Sequence, residues 1–391
     1  MPASYIAARA LYQTGGALLA AGLVASSSVL IEYSTNARGY SLVCLIFVAL
    51  ISLAAYAVRT QNWTAWFCLA IVSALGLYTI PIMLYPFGGI VIWLLLCMVI
   101  GDARFNSWGS VTGLISAVGL TVFVTTELYS PVLAVSGPKA LFANKWVAAS
   151  PLHIFLRGLP VSLASTWQGW NRGVPSIVAM ALAAAFFVSL LRHRRCSKFP
   201  VPIVLALILW VLPVISIQRV VPFERVWLFA LPLYFIASAA GVATVTAPLD
   251  RFRLRQAVIL VGIAVSLVLG IRALLSNSIY LSNEGRDLDS LALYLKGRLA
   301  PGDSVVVVPP SDGPMLYYFQ KEGVPSSYLN AEKPDRKLLV VNEVSGDTVQ
   351  KLLSVTRAAD QGGPFPSASR QIRFGTPLRG GAPHQTALRN R

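Results

Sequence analysis

Between the first two apolar runs of the chain stands Leu30-Ile31-Glu32-Tyr33-Ser34-Thr35-Asn36-Ala37-Arg38-Gly39-Tyr40-Ser41-Leu42. An arginine flanked so closely by apolar sequence is costly, roughly 2.5–3.5 kcal/mol at the middle of a bilayer and less near its surface. Arg38 therefore calls for a partner. A lipid phosphate meets that need, because a guanidinium pairs bidentately with phosphate oxygens. The plainer reading is an interfacial arginine that snorkels or pairs with Glu32. Metal and thiol chemistry find no such setting. Cys44, Cys68, Cys97 and Cys196 stand at no ligand spacing with His153, His193 or His384, so no metal site, disulfide framework or cofactor is expected. Glycine-rich phosphate loops and the nucleophile elbow are also missing from the sequence.

The elements that must position these residues follow from composition. Of 391 residues, 55% are hydrophobic and 12% charged, and the mean hydropathy is +0.65. An average soluble domain is nearer a quarter charged. Residues 1–276 hold 18 Lys and Arg but five acids (Glu32, Asp102, Glu127, Glu224 and Asp250), whereas 277–391 hold 14 and 11. A basic excess confined to hydrophobic sequence points to a membrane rather than to nucleic acid, whose binders carry their charge on a solvated face.

A spanning helix needs about 20 apolar residues. Nine runs qualify, at 15–32, 38–58, 64–81, 82–101, 109–129, 175–191, 200–217, 225–245 and 256–275, with the third and fourth divided at Pro81. With the N-terminus cytoplasmic, the inner loops hold ten Lys and Arg, including Arg192, Arg194, Arg195 and Lys198, and the outer segments hold seven. That bias sets the orientation and leaves the C-terminal segment extracytoplasmic. The outer segment 130–174 is too long for a simple connector. It carries Lys139, Lys145, Arg157, Arg172, Trp146, Trp167 and Trp170 without an acid, and 151–157 suits an amphipathic interfacial helix.

The pattern from 277 onward predicts a small α/β unit over 277–358: helices at 287–299 and 315–321, strands at 304–308 and 337–341, and a closing element at 347–355. After that, 359–391 turns to Gly, Pro, Ser and Arg with Asp360 as its one acid, the composition of a disordered tail. The expected fold is thus an all-α polytopic membrane protein of about nine transmembrane helices with a small C-terminal α/β extracytoplasmic domain.

Several stretches resemble the GT-C membrane glycosyltransferases, nearest to the bacterial protein-mannosyltransferase and aminoarabinose-transferase-like group. They are Glu32-Tyr33-Ser34 with Ala37-Arg38-Gly39-Tyr40-Ser41-Leu42, then Ala74-Leu75-Gly76-Leu77-Tyr78-Thr79, then Pro222-Phe223-Glu224-Arg225-Val226-Trp227-Leu228 with Ala230-Leu231-Pro232, and last Tyr294-Leu295 through Pro301-Gly302-Asp303. The resemblance covers most of 15–345. It implies a bacterial inner (plasma) membrane enzyme that takes a sugar from a polyprenyl-phosphate donor and passes it to an acceptor glycan, lipid or protein on the extracytoplasmic side. It also implies cations at the leaving phosphate, for which Arg38 and Arg225 stand first. Arg219, Lys139 and Lys145 are further candidates, and Tyr40 would shape the site. For Arg225 the simpler reading is a topology anchor paired with Glu224. The tryptophans Trp146, Trp167 and Trp170 suit interface anchors or a platform for a sugar face, the latter best at Trp167 and Trp170.

Such a reaction needs a carboxylate to take the acceptor's proton. The family carries it in a large first outer loop, and this sequence shows no such loop. Ala7-Ala8-Arg9-Ala10-Leu11 resembles an inner connection that comes two spans later in the family, so the initial spans and first outer loop are expected to be missing, through a misplaced start, a shortened copy or a changed role. The sequence also departs at Ile80, where relatives often have His. Glu32, Glu127 and Glu224 are the remaining acids that could serve. Outside catalysis, the alternatives are a lipid-linked-sugar transporter, a non-catalytic accessory protein of envelope glycan assembly, or a scaffold whose C-terminal unit binds a partner.

Overall fold

A computed structural model describes residues 1–13, 15–35, 39–101, 105, 107–137, 149–248, 254–276, 286–307, 311–329, 335–342, 350 and 370–374. The chain divides into two units, Met1–Ser276 and Asn277–Arg391. Arg38, Lys139, Lys145 and Trp146 lie outside the described residues, as do Asp102, Asp250 and nearly all of the predicted closing element at 347–355.

The first unit is all helical among its described residues. Its helices are α1 (Pro2–Leu11), α2 (Ala17–Ser26), α3 (Ser28–Thr35), α4 (Tyr40–Thr60), α5 (Trp63–Thr79), α6 (Leu84–Ile100), α7 (Trp108–Ser136), α8 (Leu152–Trp170), α9 (Ser176–Leu191), α10 (Ile203–Gln218), α11 (Ala230–Val245) and α12 (Leu254–Ser276). Among the described residues four helical segments are long and apolar enough to cross a membrane: Tyr40–Thr60, Pro81–Ile100, Trp108–Ser136 and Glu224–Val245. The bent pair α2 and α3 makes a fifth if counted as one span. Helices α5, α9 and α10 are apolar but shorter, at 16 or 17 residues.

Local chemistry sets the breaks. Asn62 caps α5 by accepting from the Thr64 and Ala65 amides, and Gln61 before it takes the left-handed conformation that ends α4. The break between α5 and α6 falls at Pro81, which opens a 3-10 turn. In place of a single helix over 15–32, the chain turns by 60° at Ser27. The serine hydroxyls there bond to nearby backbone: Ser26 Oγ donates to the Leu23 carbonyl at 3.2 Å, and Ser27 Oγ accepts from the Leu30 amide at 3.5 Å. Such bonds compete with the helical ladder.

The long outer segment 130–174 is largely helical among its described residues. Helix α7 continues to Ser136 through Pro131. That proline cannot donate to the Glu127 carbonyl, but Ser130 Oγ does, at 2.8 Å, and so the helix survives its proline. Helix α8 then runs for 19 residues, well past the predicted 151–157.

The core sits around α11, most of which is buried. Gly241 lets α11 close on α9: a Cβ there would stand 1.8 Å from the Ala185 carbonyl oxygen. Trp66 fills the space at Gly113, and Trp210 that at Gly88, with its Nε1 donating to the Leu84 carbonyl at 3.0 Å. Outward-facing Val99, Ile115, Phe123, Ile177, Met180, Leu191 and Ile217 are all more than half exposed. An apolar exterior around a close-packed helical core is what a lipid solvent requires.

Among its described residues the second unit has two α-helices, α13 (Arg286–Lys296) and α14 (Asp312–Glu322), and a parallel sheet in the order β1 (Asp303–Val306), β2 (Arg336–Asn342), β3 (Arg370–Phe374). Its core is Leu291, Leu295, Val305, Met315, Phe319 and Leu338 with their neighbours. Asp303 and Arg336 face each other across β1 and β2. Arg336 Nε donates to Asp303 Oδ1 at 2.8 Å and its Nη2 to Oδ2, and the buried carboxylate also accepts from the Ala300 amide at 2.8 Å. The arginine's hydrogen bond and charge hold the Asp303 carboxyl below the usual carboxylate range, against the opposing effect of burial. Strand β3 corrects the expectation of a structureless 359–391 for five residues. Ile372 pairs with Val340 and Phe374 with Asn342, so alternating apolar residues find a partner edge despite the polar surroundings.

Candidate functional site

At one end of the first unit, α3, α8 and the segment before α11 enclose an open cavity of about 890 Å³. Arg157, Ser162 and Ser165 line it from α8, Tyr33 from α3, and Phe223, Glu224 and Arg225 from the third side. A smaller chamber of about 50 Å³ adjoins it, shared through Tyr33, Glu224 and Arg225 and completed by Glu32, Trp170 and Arg172. The two spaces bring together two glutamates and three arginines.

Each side chain has a local reason for its place. Residues 224–229 form a 3-10 turn before α11 begins at Ala230. Pro232 falls in the first turn of α11, where its missing N–H costs nothing. Glu224 opens the 3-10 turn at its positive end, a favourable position for a carboxylate. Ser162 Oγ donates to the Pro222 carbonyl, tying α8 to that segment. Two glycines let α8 come close: a Cβ on Gly158 would stand 2.9 Å from Val221 Cγ2, and one on Gly169 would stand 3.2 Å from Glu224 Oε2. The bend at Ser27 redirects α3, which carries Glu32 and Tyr33 as two of the lining residues.

The charges are distributed unevenly. Arg172 Nη1 lies 3.6 Å from Glu32 Oε2, with half of the arginine side chain exposed, and the Arg172 carbonyl accepts from Ser28 Oγ at 3.2 Å. Glu32 thus has an arginine partner supplied by the chain after α8. Arg225 is different. Its guanidinium stands 5.0 Å from the centre of the Phe223 ring, and among the described residues no ion pair joins it to Glu224 or any other acid.

Of the residues singled out by sequence, Glu32, Glu224, Arg225 and Trp170 meet here. Tyr40 lies just beyond, its ring 5.8 Å from that of Tyr33 in an edge-on contact. Arg219 is not among the lining residues. It is a left-handed residue ending α10, and its carbonyl accepts from the Ser150 amide at 2.9 Å. Glu127 is exposed on α7, two residues before Tyr129, and lines neither cavity. Trp167 and Trp170 both pack on Tyr234, at ring distances of 5.9 and 6.1 Å. Trp170 is part of the packed interior, with its Nε1 buried and unpartnered, whereas Trp167 is 38% exposed.

Sequence reasoning did not assign His153, Arg157, Ser162, Ser165, Tyr33 and Arg172 to the site. The signal for two of them was present, since His153 and Arg157 stand four apart on a helix and so share a face. No protein-family model matches the chain, and neither curated proteins nor solved structures give a match.

Proposed function

We propose that the chain is a polytopic membrane glycosyltransferase of the GT-C kind that takes sugar from a polyprenyl-phosphate donor. The observation that supports this most is Arg225, a guanidinium without an acid partner among the described residues that lines both an open cavity and a smaller chamber beside two carboxylates. In this reading all nine apolar runs cross the membrane, the shorter helices spanning it with their flanking residues. The N-terminus is cytoplasmic, and the cavity and the C-terminal unit are on the extracytoplasmic side.

Arg225 takes the donor phosphate, and the apolar rim of Ile154, Val161, Val221 and Phe223 accommodates the start of the prenyl chain. The acceptor's hydroxyl oxygen forms the new bond to the anomeric carbon. The bond from that carbon to the phosphate oxygen breaks, and its electron pair leaves with the polyprenyl phosphate. The hydroxyl proton goes to a carboxylate. Glu224 is the better placed of the two, since it faces both spaces and Glu32 already holds Arg172.

Proteoliposomes carrying radiolabelled polyprenyl-phosphate sugar test this reading. Release of free polyprenyl phosphate with label on an added acceptor, lost on Arg225→Ala, is the expected result. A second reading, a lipid-linked-sugar transporter, draws on the bend at Ser27, because transporters build sites at interrupted helices. Movement of intact labelled lipid between leaflets without phosphate release would favour it and overturn transfer. Neither release nor movement would sink both.

A further inference from the structure

The other end of the first unit, a full α4 length from the cavity, gathers cations from three separate elements. Arg9 is in the last turn of α1, Arg59 is in the last turn of α4, and Lys198 follows a helical turn at His193–Cys196. Backbone bonds fix α1 and the 196–198 segment together. Tyr12 and Ser197 form an antiparallel bridge, the Gln13 amide donates to the Cys196 carbonyl at 2.8 Å, and the Lys198 amide donates to the Leu11 carbonyl at 2.8 Å. The Lys198 ammonium itself donates to the Arg9 carbonyl. Burial, with the Arg59 and Arg9 charges beside it, pushes Lys198 below the ordinary lysine value.

A cation at a helix C-terminus is favourable by itself, which accounts for Arg9 and Arg59 singly. It does not account for three cations at one spot, where they repel. Among the described residues none of the three forms an ion pair with an acid. Arg9 and Arg59 are exposed. Among the described residues the Arg9 guanidinium has one hydrogen-bond partner, Tyr5, whose hydroxyl accepts from Nη1 at 3.1 Å, leaving other donors open. On the same helix Ile6 is 55% exposed, as on an element that rests at a membrane face.

We propose that Arg9, Arg59 and Lys198 form a site for the phosphate headgroup of an anionic lipid in the leaflet at this end of the bundle. The proposal rests on the membrane reading of the chain and not on glycosyl transfer. The three cations supply converging donors to one phosphate, and the bound phosphate removes the repulsion that the backbone otherwise holds in place.

Native mass spectrometry of the full chain, equilibrated with phosphatidylglycerol and phosphatidylcholine, tests it. The wild type retains phosphatidylglycerol preferentially, and that preference falls about fivefold for each of the three cations removed. Arg194→Gln with Arg195→Gln, which removes two exposed charges from the neighbouring turn, leaves it unchanged. Lys198→Gln alone, which spares both helix ends, loses about fivefold and serves if the triple variant does not fold. The proposal is overturned by equal retention of the two lipids in the wild type, by an unchanged preference in R9Q/R59Q/K198Q, by an equal loss in R194Q/R195Q, or by displacement of the lipid with millimolar inorganic phosphate. Sugar transfer is not read in this experiment, so its failure leaves the assignment at Arg225 intact.

Discussion

The two ends of the first unit are both rich in cations, and they use them differently. Around the large cavity, arginines mix with glutamates: Arg172 is beside Glu32, while Arg225 shares its two spaces with Glu224. At the opposite end, Arg9, Arg59 and Lys198 cluster without a described acid and are fixed by main-chain bonds. A mixed-charge cavity with open space suits a ligand that enters, reacts and leaves. A cluster with no acid partner among the described residues, locked by the backbone, suits a ligand that stays. The same residue types thus point to turnover at one end and to retention at the other, and the difference lies in the carboxylates and the empty volume.

The largest effect that would sharpen this contrast is at Arg225. Removing a charged hydrogen-bond partner of a phosphate costs about 1.5–3 kcal/mol, so Arg225→Ala is expected to weaken binding of a short-chain polyprenyl phosphate by about tenfold to a hundredfold. An unchanged isotherm would take the phosphate away from this end. Next in size is a test of whether Glu224 must keep its position. A Cβ on Gly169 meets Glu224 Oε2 at 3.2 Å, tight enough to displace the carboxylate slightly. Gly169→Val, with two further methyls, should cut transfer severalfold while leaving polyprenyl-phosphate affinity near wild type. Equal losses in both would mean that the valine distorts the cavity as a whole. A smaller effect is expected at Glu32. Its pairing with a half-exposed Arg172 is worth at most about 1 kcal/mol, so Glu32→Gln should change binding by less than about fivefold. A larger change would place Glu32 in direct contact with the bound donor.

The C-terminal unit offers a control in which charge serves structure alone. Asp303 and Arg336 are paired in full, unlike Arg225. Because its partner holds the Asp303 carboxyl below its ordinary value, the stabilisation is complete above the unfolded-state value of about 3.9. It is lost as pH falls below that toward the folded-state value. Protection of the β1 and β2 amides of the full chain against hydrogen exchange, relative to the intrinsic rate at each pH, should therefore fall below about pH 4 in the wild type. In Asp303→Asn that protection should be low already at neutral pH. Indifference of those amides to both changes would contradict the pairing's role.

Much of the architecture was legible in the sequence because apolar runs and helix breakers report directly on local structure. Pro81 marks the break between α5 and α6, and helix occupies every apolar run, although 15–32 is divided between α2 and α3. The bend at Ser27 was not legible, because the serines act through hydroxyl bonds that an apolar count treats as neutral. Helix α8 was foreseen only in its first turn: Gly158 and Pro160 argue against a helix, and packing of Phe155 with Ile215 and Val211 outweighs them. At the site, the family resemblance singles out Arg225, and Glu224 is one of few acids in the hydrophobic part, both at the opening of an apolar run. Arg172 could not be picked out, since its meeting with Glu32 spans 140 residues of chain. The tryptophans divided: Trp170 belongs to the packed interior and Trp167 keeps an exposed face, a distinction that depends on which side of α8 meets Tyr234.

The most direct test of the central claim is the affinity of the purified chain for a short-chain polyprenyl phosphate, measured for the wild type, Arg225→Ala and R9Q/R59Q/K198Q. The account predicts a loss of at least about tenfold in the first variant and none in the second. Equal affinities in wild type and Arg225→Ala, or a loss confined to the triple variant, would contradict it.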